Sequence, residues 1–187
     1  MMRILYALLL IFCSVGAAQA GELVDNAKRA EEAAAAGKPL KAYNEMRKGM
    51  LSLWRAGPLT FRKALFVTGQ PSGFGLYQAK AKNVFEPGEE LIAYVEPVGF
   101  SWKPEGGLYH ALMVVDLIIR DADGKIIAGQ KAFGTFKFDS HEENMEVMAV
   151  VTVDFSDAPK GKYVLECEVA DQLSDKTGTF ELPFEIR

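Results

Sequence analysis

The chain has 187 residues with 21 bases, 25 acids and a net charge of −4. That mildly acidic balance disfavours nucleic acid or an anionic lipid surface as the main partner. The length suits one sandwich-sized domain with a small appendage.

The first residues read "MMRILYALLLIFCSVGAAQAGELVD". Arg3 supplies a positive start, Ile4 to Val15 is an almost unbroken apolar run, and Ala18-Gln19-Ala20 is a small-x-small site. This predicts a secretory signal peptide over 1–20, cleaved after Ala20. The apolar run is short for a membrane anchor, which needs about 20 residues. Phe12 is bulky where a lipoprotein signal wants a small residue before Cys13. Cleavage removes Arg3 and no acid, leaving 167 of the 187 residues with a net charge of −5. The protein is then expected in the periplasm or outside the cell, with no later stretch long enough to span a membrane.

Residues 21–57 carry helical periods. Leu23, Ala27, Ala30 and Ala34 recur at spacings of three and four, and "AEEAAAA" is strong helix-forming sequence. Gly37 and Pro39 are placed to end that helix and begin another. Leu40, Tyr43, Met46, Met50, Leu53 and Trp54 give the second period, stopped by Gly57-Pro58. The expectation is a helical hairpin packed on the domain that follows.

From residue 58 to 187 the period becomes two. Alternation predicts strands at Phe61–Val67, Tyr77–Phe85 (lysine-rich, an edge), Leu91–Val98 and Ala111–Arg120. "DADGK" is the turn of a hairpin. Strands follow at Ile126–Ala128, Lys131–Phe138 and Val147–Phe155. Tyr163, Leu165, Cys167 and Val169 share one face of a further strand, opposite Glu166 and Glu168. Phe180, Leu182, Phe184 and Ile186 oppose Glu181 and Glu185 on the last. Short strands with turn signals every 8–12 residues predict a mainly β protein, an antiparallel β-sandwich preceded by the α-helical hairpin.

"GKYVLECEV" (Gly161 to Val169) resembles the Gly-x-Tyr-x-hydrophobic strand of immunoglobulin-like and fibronectin-type domains. The resemblance implies an immunoglobulin-like fold in which Tyr163 forms a tyrosine corner. In antibody domains a cysteine lies two residues after that tyrosine. Cys167 lies four after it and has no partner in the mature chain, which points to the disulfide-free branch. The pattern over about residues 60–187 is similar to exported bacterial immunoglobulin-like domains, and this implies fold rather than activity.

Cys167 sits on the apolar face between acidic neighbours, so it reads as core filler, with an intermolecular disulfide or a reactive thiol as the alternatives. No Gly-x-Ser-x-Gly, His-Glu-x-x-His, Walker or dinucleotide-binding pattern occurs, so no catalytic residue and no cofactor is assigned. Ser72 in "GQPSGFG" would need a histidine to activate it. "DADG" lacks the acid that a calcium loop needs, since Ala132 stands at that position. His141 with Met145 suits a copper ligand set in an oxidising compartment. "PVGFSWKPEGGLYH" (Pro97 to His110) gathers Phe100, Trp102, Tyr109 and His110 in a Gly/Pro-rich connection, a candidate surface for a glycan or an envelope protein partner. The leading expectation is a non-enzymatic binding or structural module of the bacterial envelope. A carbohydrate-binding accessory protein and a periplasmic copper carrier are the alternatives.

Overall fold

The computed structural model describes residues 15–155 and 158–187, with side chains from Gly21 onward. Most of the predicted signal peptide lies outside the described residues. The chain divides into two compact units, Met1–Ala56 and Gly57–Arg187.

The first unit is a helical hairpin. Helix α1 runs Val15–Ala35 and passes through Ala20 without a break; α2 runs Pro39–Ala56. The turn follows from Gly37. At φ +67° it adopts the left-handed conformation that costs glycine least. Lys38 N–H then donates to Ala33 O at 2.9 Å and Gly37 N–H to Ala34 O at 3.0 Å, which caps the end of α1. Pro39 opens α2 at a position whose N–H would be orphaned anyway. The helices approach closely at Gly49, where a Cβ would sit 3.1 Å from Leu23 Cδ1. Buried polar groups beside that crossing are satisfied. Arg29 Nε donates to Glu45 Oε2 at 3.0 Å, Lys48 Nζ to Glu45 Oε1 at 2.9 Å, and Ser52 Oγ to Gly49 O at 2.8 Å. The Lys48 and Arg29 hydrogen bonds hold the Glu45 carboxyl below its ordinary value.

The second unit is an antiparallel β-sandwich. Strands β1 (Thr60–Phe66), β3 (Leu91–Val98) and β7 (Ala149–Val153) form one sheet in the order β1-β3-β7. The other sheet runs β2 (Val84–Phe85), β9 (Thr177–Ile186), β8 (Gly161–Asp171), β5 (Leu108–Asp121), β4 (Lys103–Glu105), with β6 (Ile126–Ser140) along the second edge of β5. This is the strand order of an immunoglobulin-type sandwich. The chain enters on the smaller sheet with β1 and crosses to the larger with β2, which pairs parallel to the end of β9.

Alternating residues make the core: Ala93 and Val95, Met113 and Val115, Leu165, Cys167 and Val169, Leu182 and Phe184 are all buried. Tyr163 stands at the start of β8, and its hydroxyl donates to Pro159 O at 2.6 Å, the geometry of a tyrosine corner.

Several sequence expectations need correction. Tyr77–Phe85 is not one continuous edge strand: residues 78–80 hydrogen-bond to Phe66 and Thr68 around the Val67–Ala79 bridge at the end of β1, Val84–Phe85 pairs with β9, and Gly75 N–H reaches the Tyr94 hydroxyl. The two strands expected over 126–138 are one, continuous through a bulge at Ala132, whose φ is +49°. Asp116 holds that bulge by accepting from Ala132 N–H at 2.7 Å and Lys131 Nζ at 2.6 Å. The 97–110 connection is partly sheet. Gly106 and Gly107, at φ +61° and +82°, form a two-residue turn between Glu105 and Leu108. Such a turn needs left-handed backbone at both central positions, which Gly-Gly provides.

Candidate functional site

The predicted aromatic surface splits apart. Phe100 is 1% exposed and stacks against Phe138 at 6.2 Å, so it serves the core and cannot meet a partner. Trp102 is half-buried, 5.3 Å from the Phe100 ring, with Nε1–H donating to Asn144 O at 3.2 Å. Tyr109 and His110 are half-buried on β5. No open aromatic platform remains.

His110 clasps the β4–β5 hairpin to β6. Its Nδ1 lies 2.6 Å from Asp139 Oδ1 and its Nε2 lies 3.0 Å from Glu105 O. Both neighbours are acceptors, so the doubly protonated ring satisfies both. The Asp139 hydrogen bond, then Glu105 O, raise the His110 pKa above its ordinary 6.5. The His110 hydrogen bond lowers that of Asp139 below 3.8. A raised imidazole stabilises fully below the unfolded value and loses that effect as pH climbs through the folded one. A lowered carboxyl stabilises above its unfolded value and loses it as pH falls through the folded one. The clasp is therefore expected to act fully between about pH 4 and 6.5 and to fade as pH rises through the raised His110 value. Melting temperatures of wild type and His110→Asn should differ most in that window, and the difference should shrink as pH rises through the raised His110 value. A difference independent of pH would contradict the clasp.

Cys167 is fully buried on β8, opposite Leu117 and Phe180. Burial, with a smaller push from Glu166, raises its thiol pKa to about 12. The thiol is held neutral and shielded, so maleimide labelling should be slow in native buffer and complete within minutes in denaturant. Fast native labelling would overturn that placement.

His141 is exposed and Met145 half-buried in the connection before β7. Among the described residues, no three His, Cys, Asp or Glu side chains gather in a metal-holding group. Asp121 Oδ1 accepts from Asp123 N–H and Lys125 N–H, both at 3.0 Å, so the "DADG" carboxylate organises a turn. Ser72 Oγ donates to Leu76 O at 3.4 Å.

Two features stand out that the motif search missed. The first is a buried polar relay under residues 68–83. Glu96 is 1% exposed. The Tyr94 hydroxyl donates to Glu96 Oε1 at 2.7 Å and accepts from Gly75 N–H at 2.7 Å. Arg62 Nη2 lies 2.6 Å from Glu96 Oε2, close enough to neutralise it but not aligned as a hydrogen bond, so that oxygen is held by charge. The Tyr77 ring packs 4.3 Å from that of Tyr94, and Arg62 sits 4.9 Å over Phe74. Burial, more than the Glu96 contact, pushes the Tyr94 hydroxyl up to about 12. The relay ties this segment to the sheet.

The second is the outer face of α2. Leu40 is 71% and Tyr43 64% exposed, and Met46, Met50 and Leu53 are also exposed. Spacings of three and four put all five on one helix face. The buried Glu45, Gly49 and Ser52 occupy another. Around the apolar stripe α2 carries Lys41, Arg47, Lys48 and Arg55 against Glu45 alone, a local excess of bases on a chain of net charge −4. A groove of about 450 Å³ lined by Leu40, Lys41, Asn44 and Arg47 runs beside it. Monomeric proteins seldom expose so continuous an apolar row.

No protein-family model matches this sequence, and no curated protein matches it. Solved structures give distant likenesses. A Niemann-Pick type C2 protein from Japanese carpenter ant is 13% identical, covering 70% of this chain and 94% of its own, with a TM-score of 0.45. Superoxide reductase (neelaredoxin) from Ignicoccus hospitalis is 11% identical over 68% of this chain and 82% of its own, at 0.37. The sporulation control protein Spo0M from Bacillus subtilis is 14% identical over 70% and 50%, at 0.36. Likeness this distant carries no conclusion about activity, and the architecture rests on the strand order.

Proposed function

We propose that the protein is an exported, non-enzymatic protein-binding module of the bacterial envelope, built from an immunoglobulin-like sandwich and a helical hairpin whose α2 face docks the partner. The observation that carries this reading is the exposed stripe Leu40, Tyr43, Met46, Met50 and Leu53. Tyrosine and methionine are enriched where proteins meet, and an apolar row supplies the anchor residues of a helix-in-groove contact. The bases of α2 favour a partner with an apolar groove and an acidic rim. Export rests on the signal-type N-terminus.

The test is capture from envelope extract by the tagged mature protein, with wild type beside Tyr43→Lys/Met50→Lys. Both positions are exposed, so the fold should survive. A discrete protein captured by wild type, reduced at least tenfold by the double variant and weakened by salt, is the expected result. Equal capture by both, or capture of lipid vesicles alone, would refute the docking face.

A further inference from the structure

We propose that Met46 and Met50 form a reversible oxidation site that turns the docking face of α2 off. The inference rests on the reading of α2 as that face and names its regulation. Of the seven methionines in the chain, Met1 and Met2 fall in the predicted signal peptide, outside the described residues. Met113 is fully buried in the sandwich, and Met145 and Met148 are half-buried. Met46 and Met50 differ from all of these, at 42% and 48% exposed. The two most open thioethers among the described residues therefore share one helix face, a single turn apart. That face is not the one on which Gly49 meets Leu23 of α1, so a change there leaves the hairpin contact alone.

Their place in the stripe sets the consequence. Leu40 and Tyr43 precede them along the face and Leu53 follows, so the two sulfurs occupy its middle. The centre of a contact is where a partner excludes water most completely and where a changed side chain matters most. A thioether suits that place, being apolar, flexible and polarisable. A sulfoxide does not. It carries a strong acceptor into apolar surroundings, where burial without a donor is unfavourable. The step needs a two-electron oxygen donor such as hydrogen peroxide. The sulfur lone pair attacks one peroxide oxygen, the O–O bond breaks, and the other oxygen departs as water with both protons. Sulfur is oxidised by two electrons and peroxide is reduced. A methionine sulfoxide reductase reverses the change, the oxygen leaving as water while two thiols become a disulfide. Leucine at either position would supply as much apolar surface with none of this reactivity.

The experiment treats the mature protein with graded hydrogen peroxide and reads three things: the order in which methionines gain oxygen, by peptide mass spectrometry; retention on a phenyl column; and capture of protein from envelope extract. Met46 and Met50 should oxidise severalfold faster than Met145 and Met148, with Met113 protected until the chain unfolds. Retention should fall and capture should drop about tenfold at an unchanged melting temperature, and methionine sulfoxide reductase should restore both. Met46→Leu/Met50→Leu should capture as wild type does and keep its retention and capture under peroxide. Oxidation of Met145 or Met148 ahead of this pair, unchanged retention or capture by the doubly oxidised protein, or equal losses in the leucine variant would each overturn the proposal. Capture of nothing by untreated wild type would refute the docking reading, whereas the oxidation order and the column retention test the site without any partner, so the two failures are distinguishable.

Discussion

Arg62→Met is expected to destabilise the protein by about 3 kcal/mol, read as a fall in the urea midpoint at constant slope. Among the described residues Arg62 Nη2 is the cation beside Glu96 Oε2, and Glu96 is buried on β3. Removing that cation leaves the carboxylate with the Tyr94 hydroxyl as its partner among those residues. Breaking a buried pair from one side costs about 3–5 kcal/mol. The lower end applies here because the Arg62 side chain is half in water. The double variant Arg62→Met/Glu96→Gln should recover at least half the loss, since no buried charge remains to be compensated. Amide exchange at Gly75 should also quicken in Arg62→Met, because its N–H donates to the Tyr94 hydroxyl of the relay. A single variant within about 0.5 kcal/mol of wild type would show that water reaches Glu96 and that the relay is not buried in solution.

Gly99→Ala is expected to cost at least as much. Gly99 sits at φ +87°, and a Cβ there would lie 2.3 Å from Pro58 O. The left-handed backbone alone costs a side chain about 1–2 kcal/mol. The clash is with a backbone carbonyl at the entry to β1, which cannot rotate aside. Gly88 separates the two terms, since its φ is +85° but its Cβ would meet open space. Gly88→Ala should therefore lose only about 1 kcal/mol. Gly99→Ala should lose about 3 kcal/mol or more, as the conformational cost and the displacement of Pro58 add. Equal midpoints for the two variants would mean that the chain at Pro58 moves freely.

Much of the sandwich was legible because a half-buried strand writes its orientation into the chain. Leu165, Cys167 and Val169 alternate with Glu166 and Glu168, and the burial of β8 follows those letters. The same signal misled at Tyr77–Phe85. There only residues 78–80 pair with the end of β1 and Val84–Phe85 with β9, while Tyr77 packs its ring on Tyr94, so the alternation does not mark one continuous strand. Gly106-Gly107 stands in a Gly/Pro-rich connection in the sequence, but it closes the β4–β5 hairpin, and Phe100 before it lies in the core rather than on an open loop.

The remaining features depend on residues far apart in sequence. Tyr94 and Glu96 occupy the polar register of β3, which alternation assigns to solvent; only the arrival of residues 68–83 buries them. The period of α2 was plain in the sequence. Periodicity identifies the helix and its apolar face, but only the packing of Gly49 against Leu23 shows that a different face meets α1.

The docking role of α2 is tested most directly by a photo-activated cross-linking residue placed, in cells, at Met50 on the stripe and at Glu31 as an exposed control on α1. The account predicts one discrete protein adduct from position 50, none from position 31, and loss of the adduct when Tyr43→Lys is added. Adducts equal at both positions, or none at position 50, would contradict it.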